Sequence, residues 1–292
     1  ASVGYYQITP LRRAQRKIEV DVARAPLPPP YQLDGAILTG GSQGIEDVDI
    51  AAAVVHIING SILCNRDIWV RLLANVTVDK DVKAVRNIIV WPFSQLNVGG
   101  VTEEGVEPFP MPQVDFDSAD PNSYKNQAQA LDQVYTEQEF KDLLKTQPNR
   151  TFEGVVYVTG GISITKWQSV TVNGVLAADG SINVGGQILP GTLQINHSND
   201  TPSGVLTKQN LNISTPGIFG GQGLIYVADR IDIDPSWPGT INWEGGFMSR
   251  RTRIRGLREV NITFNADFIN QVLQPVVPET PVIEIKHWEE EY

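Results

Sequence analysis

The sequence predicts a mainly β fold: a β-solenoid resembling a parallel β-helix, with an N-terminal helix and a helical insertion. The first observation is a six-residue period, since an aliphatic side chain recurs at Val158, Ile164, Val170, Leu176, Ile182 and Ile188. The second is a companion row in the same stretch that ends in glycine at positions 174, 180 and 186. The third is the recurrence of this period at residues 54–90 and, in fragments, at 224–264.

A period of six indicates short strands that each end in a tight turn. Alternate side chains of a strand lie on one face, so stacked coils of such strands would bury a continuous aliphatic column. Glycine tolerates positive φ and therefore suits the corners of the coils. The alternative is an antiparallel sandwich, whose strands usually recur about every 8–12 residues.

The row in the first region contains the only cysteine of the chain. This row consists of Ile58, Cys64, Val70, Val76, Val82 and Ile88. A single cysteine excludes an internal disulfide framework. Its position among aliphatic residues predicts a buried, unreactive thiol.

The composition is typical of a packed globular protein. Of the 292 residues, 41% are hydrophobic, and the formal net charge is −10 at pH 7. General attraction to nucleic acid or to an anionic membrane is therefore not expected, although a local basic patch could bind either. The sequence contains no apolar run of the roughly 18 residues needed to span a bilayer.

The first 30 residues predict a separate N-terminal segment. Apolar residues three or four positions apart favour an amphipathic helix over residues 5–25. Four prolines at 26–30 then favour a stiff, extended linker. We therefore expect a helix and linker at 1–30 and a solenoid domain at 31–292.

A second segment interrupts the β pattern at about 118–147. It follows a proline-punctuated stretch, and its apolar spacing predicts two short helices. Thr136 and Glu139 match a capping box before Phe140, Leu143 and Leu144. Because a solenoid leaves sheet edges open at its ends, this insertion, residues 5–25 or the C-terminal residues 281–292 would each serve as a cap.

Motifs in the central part of the chain carry a family resemblance. Pro110, Met111, Pro112, Val114, Asp115, Phe116 and Tyr124 form a PMP-x-V-D-F segment before a tyrosine-containing helix. Two coil motifs follow, one at Gly154, Val155, Tyr157, Val158, Gly160, Gly161 and Ile164, the other at Gly174, Leu176, Ala178, Gly180, Ile182 and Val184. The phrase LIYVADRIDI at 224–233 is similar to a later coil. These motifs resemble the β-helical ectodomains of type IV pilin-like proteins, the minor pilins and pseudopilin relatives of bacteria.

The resemblance implies a subunit of an extracellular filament at the cell surface. Its partners would be other pilin-like subunits or further copies of this chain, with surface polysaccharide or DNA as additional candidates. Pilin-like proteins reach the membrane through a hydrophobic N-terminal helix. For this chain we expect membrane contact only through a segment preceding Ala1.

The sequence offers no catalytic constellation, and we expect no catalytic, cofactor-binding or metal-binding residues. Asp229, Asp232 and Asp234 form the densest acidic set within a coil. Since Ile231 and Ile233 alternate with them, these aspartates are predicted to lie on a solvated strand face. His56, His197 and His287 are too scattered to indicate a metal site.

Two kinds of surface site are predicted from residue patterns. A basic cluster stands at Arg250, Arg251, Arg253, Arg255 and Arg258. It would bind a polyanion or pair with carboxylates of the neighbouring coil. Sequons for N-glycosylation occur at Asn59, Asn75, Asn149, Asn196, Asn199, Asn212 and Asn261.

The function expected from the sequence is a non-catalytic extracellular structural or adhesion module, either a type IV pilus-like minor pilin or another surface-filament component. One alternative is a β-helix carbohydrate-active enzyme, a lyase or hydrolase. A second is a self-polymerising element similar to bactofilins, and a third is a nucleic-acid-capturing pilus-tip protein.

Overall fold

The computed structural model of the chain divides into two compact units, residues 1–30 with 275–292 and residues 31–274. It describes residues 2–9, 12–18, 22–24, 35–40, 47–186, 189–198, 201–214, 217–234, 240–256, 259–273 and 283–285. The C-terminal residues thus group with the N-terminal segment and not with residues 31–274.

The first unit consists of strands where it is described. These are β1 (Ser2–Thr9), β2 (Arg12–Ile18), β3 (Val22–Arg24) and, at the other end of the chain, β25 (Ile283–Ile285). β1 pairs with β2 and β3 with β25, both antiparallel. The structure therefore differs from the helix predicted over 5–25. The aromatic and β-branched residues before Pro10 favour a strand, and Pro10 itself interrupts a helix. Pairing with another strand also provides the backbone hydrogen bonds that a helix would form internally. The proline-rich linker at 26–30 lies outside the described residues.

The second unit contains two series of short strands separated by the helical insertion. The first series is β4 (Gly35–Thr39), β5 (Val48–Ala51), β6 (Val54–Ile58), β7 (Ser61–Cys64), β8 (Ile68–Arg71), β9 (Asn75–Val78), β10 (Val82–Ala84), β11 (Ile88–Val90), β12 (Gln95–Val98) and β13 (Thr102–Glu104). The insertion carries α1 (Tyr124–Ala130), β14 (Val134–Tyr135) and α2 (Glu137–Thr146). The second series is β15 (Asn149–Val158), β16 (Ile162–Ile164), β17 (Ser169–Ala178), β18 (Ile182–Val184), β19 (Thr192–Asn196), β20 (Gly204–Thr207), β21 (Asn210–Ser214), β22 (Ile218–Asp234), β23 (Thr240–Arg255) and β24 (Glu259–Phe264), followed by α3 (Ala266–Leu273).

Parallel pairing between successive coils makes these strands a solenoid of about ten turns, which confirms the predicted fold class. The strands form three faces. Face 1 contains β4, β7, β10, β13 and β20; face 2 contains β5, β8, β11, β16, β18 and β21; face 3 contains β6, β9, β12, β19 and β24. The longer strands bend through corners, so that β15 and β17 contribute to faces 3 and 1, and β22 and β23 contribute to all three.

The order of coils in space differs from their order along the chain. The chain enters at β4 in the middle of the stack and winds to one end at β13. The insertion then carries it to the opposite end, from which β15 to β24 wind back. There β24 lies between β23 and β6, while β4 and β5 continue the other two faces of the same coil. One central coil is therefore assembled from both ends of the second unit.

The aliphatic columns predicted from the six-residue period form the core. Val158, Ile164, Val170, Leu176 and Ile182 are fully or almost fully buried in one hydrophobic cluster, while Ile188 lies outside the described residues. In the earlier row Cys64, Val70, Val76 and Val82 are buried as well. Ile58 instead lies on the outer surface, since Ile57 occupies the inward position of β6. Burial raises the pKa of the Cys64 thiol to about 12, as expected of an unreactive cysteine.

The helical insertion closes one end of the stack. Its capping box forms as predicted: Thr136 Oγ1 accepts from the Glu139 N–H, and the Thr136 N–H donates to Glu139 Oε2. Phe140 and Leu144 of α2 are buried in the solenoid core, where Phe140 stacks on Phe152 with 5.8 Å between ring centroids. At the opposite end β13 pairs, among the described residues, with β10 alone.

Residues 105–123, which we call the strap, run along the outside of face 1. Asn65 exchanges two hydrogen bonds with the backbone of Phe109, at 2.6 and 2.7 Å. Further along, the ring of Phe116 lies 6.1 Å from that of Tyr226. A second hydrophobic cluster joins the strap, α1 and α3 to the outer side chains of face 1. Face 1 is therefore buried on both sides at β4, β7 and β20 and along β15, β17, β22 and β23, whereas its outer side is open at β10 and β13. Faces 2 and 3 are the other open surfaces of the described solenoid.

Candidate functional site

The predicted arginine cluster lies on face 2, where β22, β23, β5 and β8 are successive neighbours. Along these four strands the inward side chains are aliphatic or threonine, and five arginines and three aspartates alternate with them on the outer side. They are Arg230, Asp232 and Asp234 of β22, Arg251, Arg253 and Arg255 of β23, Asp49 of β5 and Arg71 of β8. The period-two alternation of each strand places them there.

The centre of this cluster is Asp49, whose side chain is 1% exposed. Arg71 donates to both of its oxygens, Nε to Oδ1 at 2.7 Å and Nη2 to Oδ2 at 2.9 Å. Arg255 donates to Oδ2 from Nε at 3.0 Å and also from Nη2. The Nε of Arg253 is 3.8 Å from the same oxygen. One buried carboxylate therefore binds guanidinium groups from the coils on both sides.

Three positive charges around one carboxylate determine the electrostatics of this surface. Burial of Asp49 tends to raise its pKa, but the hydrogen bonds and charges of Arg71 and Arg255 outweigh burial and hold that pKa below its ordinary value. The carboxylate is consequently ionised at neutral pH. It balances one of the arginines, and the cluster keeps a local excess of positive charge on a chain whose formal net charge is negative.

Arg250 and Arg253 pair with aspartates of the neighbouring coil, and Arg230 pairs with Asp232 within β22. Arg250 lies 3.3 Å from Asp229, and Arg253 and Arg230 lie 3.5 and 3.4 Å from Asp232. Arg251 also has an interaction partner, and Arg258 lies outside the described residues. Ile231 and Ile233 are fully buried, which confirms that Asp232 and Asp234 point outward. For these arginines the geometry favours pairing with the neighbouring coil, the second of the two predicted roles.

A groove crosses face 3 with a cavity volume of about 640 Å³. Its floor follows a row of outer positions, Gln194, Gly220, Asn242, Asn261, His56 and Thr77, which neighbour one another from coil to coil. Gly220 lies between Gln194 and Asn242 in this row and contributes no side chain. Gln222, Glu244, Thr263 and Asp79 line one side of the groove.

The groove presents hydrogen-bonding groups at intervals of about 4.8 Å, the spacing between neighbouring strands. Some are already used: Glu244 accepts from the amides of Gln222 and Asn265 at 2.8 and 2.9 Å, and Asn261 donates to Asn242 at 3.0 Å. Asn242, His56 and Thr263 also line the cavity. Amide, hydroxyl and imidazole groups in a row match a ligand rich in hydroxyl groups.

A further network of titratable side chains connects the strap to face 1. Tyr157 donates to Asp179, which pairs with Lys208 at 2.7 Å, and Lys208 also pairs with Asp117 of the strap at 2.8 Å. Burial and the hydrogen bond to Asp179 raise the pKa of Tyr157. Of the three histidines, His56 lies in the groove, and His197 contacts the ring of Phe268 with 4.3 Å between centroids. His287 is outside the described residues. Within the described part of the chain, no three His, Cys, Asp or Glu side chains form a metal-ligand group.

The structure separates the predicted glycosylation sites into two groups. The side-chain amides of Asn196, Asn212 and Asn261 donate to asparagines of the neighbouring coil at 2.9, 2.8 and 3.0 Å. A glycan on any of these nitrogens would disrupt the coil-to-coil hydrogen bond. Asn59 and Asn149 are exposed, Asn75 is half-buried, and Asn199 is outside the described residues.

The groove was missed at the sequence level because its residues come from distant parts of the chain. His56, Gln194 and Asn261 become neighbours only because β24 lies beside β6. The available signal was the polar side chain at alternate positions of each strand, which by itself indicates only a solvated face.

Comparison of the chain with protein-family models, curated proteins and solved structures finds no match. The coordinates themselves place it among the parallel β-solenoids. In the described part of the chain, no helix has both the length and the apolar character needed to cross a membrane.

Proposed function

We propose that this protein is a non-catalytic structural or adhesion module of an extracellular filament, with the role of a type IV pilus-like minor pilin or surface-filament component. The motifs that resemble pilin-like ectodomains support this role through their place in the fold. The PMP segment lies in the strap, and the hydroxyl of Tyr124 in the following helix donates to the Val272 carbonyl oxygen at 3.0 Å. These motifs thus fasten the insertion to the body of the solenoid.

The observation that supports the proposal most directly is that ion pairs connect neighbouring coils of the solenoid. Asp49 joins β5 to both β23 and β8, and Asp232 joins β22 to β23. Lys83 of β10 likewise lies 3.6 Å from Glu103 of β13. Charged pairs and backbone ladders that continue from coil to coil produce a stiff body suited to bearing load in a filament.

The groove on face 3 is the surface through which we expect this module to adhere. Its row of amides and hydroxyls repeats along the coil axis, as the hydroxyl groups of a linear polysaccharide repeat along that polymer. The carbohydrate-active alternative would use the same groove, with Glu244 and Asp79 as its carboxylates. Both oxygens of Glu244 accept amide hydrogen bonds, which suits a positioning role better than proton transfer, so we propose binding rather than cleavage.

Immunogold electron microscopy of the source cells tests the proposal, with antibodies raised against the purified chain. We expect gold particles along surface filaments or at their tips, and loss of the label when the gene is deleted. Label confined to the cytoplasm would contradict the proposal. Incubation of the purified chain with soluble polysaccharides provides a second test, because the release of reducing sugars would favour the enzyme alternative.

A further inference from the structure

The corner between faces 2 and 3 carries large apolar side chains at the tips of its turns. We call the described turns Arg71–Ala74, Trp91–Ser94 and Thr165–Gln168 the apolar corner. Leu73 is 73% exposed, Phe93 88% and Trp167 66%, and Leu72 and Trp91 are also exposed. Each of these turns joins a face 2 strand to a face 3 strand, so the tips project from the same edge of the solenoid. The tips with Leu73 and Phe93 are on adjacent coils, whereas Trp167 lies six strands further along this edge, roughly 29 Å away at about 4.8 Å per strand.

The backbone at these tips is strained as well. Leu72 and Leu73 have φ of 57° and 65°, and Lys166 and Trp167 have φ of 55° and 69°. Hydrogen bonds from Ala74 to Arg71 and from Gln168 to Thr165 close these two turns, whose central positions normally hold asparagine and glycine. Phe93, with φ of 67°, follows Pro92 at a turn position that normally holds glycine.

The apolar corner therefore combines two unfavourable features in the same residues. Exposed leucine, phenylalanine and tryptophan leave apolar area in water, and a bulky side chain at positive φ is a conformational outlier. Polar asparagine or glycine would remove both disadvantages without altering the coil. Strain of this kind tends to be found where a surface serves binding.

The arginine cluster of face 2 borders this corner. Arg71 is the last residue of β8, and its guanidinium lies 5.9 Å from the ring centre of Trp91. Arg255 ends β23, which is separated from β8 by β5. Lys166 stands at the tip beside Trp167 and is exposed. Each of the two ends of the apolar corner thus has a cation beside its apolar tips, Arg71 at Trp91 and Lys166 at Trp167, on a chain with a formal net charge of −10.

We propose that the apolar corner docks the protein on the surface of a bilayer that contains anionic lipids. The tips are convex and narrow, which suits insertion between lipid headgroups. Leucine has no flat ring to stack on a sugar, so Leu72 and Leu73 favour a lipid over a glycan. The neighbouring arginines remain bound to Asp49, but their excess positive charge would attract anionic headgroups. The negative charge of the remaining surface would orient this corner toward the membrane. The filament role is not needed for this docking.

Vesicle flotation with the full chain tests the proposal. The test variant replaces Leu72 by asparagine and both Leu73 and Phe93 by glycine, which gives the turns their preferred residues. The control variant is Leu131→Asn, at an exposed leucine beside α1 that lies outside the apolar corner. Because the test variant relieves strain, its Tm is expected to rise by about 2–4 °C, whereas its binding to mixed phosphatidylcholine–phosphatidylglycerol vesicles should fall about tenfold or more.

We further expect the wild-type chain and Leu131→Asn to bind the mixed vesicles equally, and both to bind pure phosphatidylcholine more weakly. No binding of the wild type to mixed vesicles would overturn the proposal, as would equal binding by the test variant. Release of bound protein by inorganic phosphate at unchanged ionic strength would indicate an anion site without bilayer insertion and would also overturn it. So would self-association that the test variant abolishes while vesicle binding is retained.

Discussion

Asp49→Ala is expected to lower the free energy of unfolding by about 3–5 kcal/mol, because it removes the one carboxylate that holds three guanidinium groups together. Arg71 and Arg255 would lose the carboxylate that they bind, and Arg253 would keep Asp232, at 3.5 Å. Urea unfolding monitored by circular dichroism measures the loss. The control is Asp229→Ala, in which an exposed ion pair with Arg250 is broken at a cost of about 1 kcal/mol or less.

The pH dependence of the free energy of unfolding shows whether the ionised Asp49 carboxylate stabilises the folded state. The pKa of Asp49 is lowered in the folded state, so its contribution is complete above the unfolded value of about 3.9 and is lost as pH falls toward the folded value. The stability difference between the wild type and Asp49→Asn should therefore shrink as pH decreases below about 4. A difference that stays constant over that window would contradict the role assigned to Asp49.

Gly245→Ala is expected to be at least as damaging, with a loss of about 4 kcal/mol or more or a failure to fold. Gly245 has φ of +136° at the corner where β23 passes from face 3 to face 1. A Cβ atom there would lie 1.9 Å from the Gly223 carbonyl oxygen of the preceding coil. Since this obstacle is backbone, it cannot move without separating the coils.

Gly105→Ala is the matched control, because Gly105 also has positive φ, +74°, but has open space around its Cβ position. It should cost only about 1–2 kcal/mol, the conformational penalty of an L-residue in the left-handed region. Differential scanning calorimetry of both variants separates strain from collision. Similar transition temperatures for the two variants would contradict the close approach of coils at Gly245.

The core of the solenoid was predictable because buried positions of each coil must be apolar, and their regular spacing is visible within a short stretch of sequence. The inward positions of Val158, Ile164 and Leu176 must be apolar whatever lies outside, so their spacing reveals the coil. The capping box at Thr136 was predictable for the same reason, since both of its hydrogen bonds are made within four residues.

The arginine row of β23 was predictable from its sequence, but its partner Asp49 and the groove depend on contacts between distant segments, which local periodicity does not indicate. Arg255 meets Asp49, and Asn261 neighbours His56, only because the coil order in space departs from the order in sequence. In the N-terminal segment the prediction of a helix over residues 5–25 was wrong. The apolar spacing there favours a helix, but pairing between β1 and β2 outweighs it. Local periodicity cannot indicate a partner strand that lies far away in the sequence.

Thiol cross-linking between His56→Cys and Asn261→Cys tests the central claim, that β24 and β6 are neighbours in the solenoid. Both positions line the groove, and the native Cys64 is buried. With a short bifunctional thiol reagent, the double variant should form an internal cross-link that holds two proteolytic fragments together. The pair Thr77→Cys and Asn97→Cys, in adjacent coils, should react equally well, and Thr171→Cys with Asn97→Cys, far apart in the stack, should not react. Efficient reaction of the adjacent-coil pair with none between positions 56 and 261 would contradict the coil order described here.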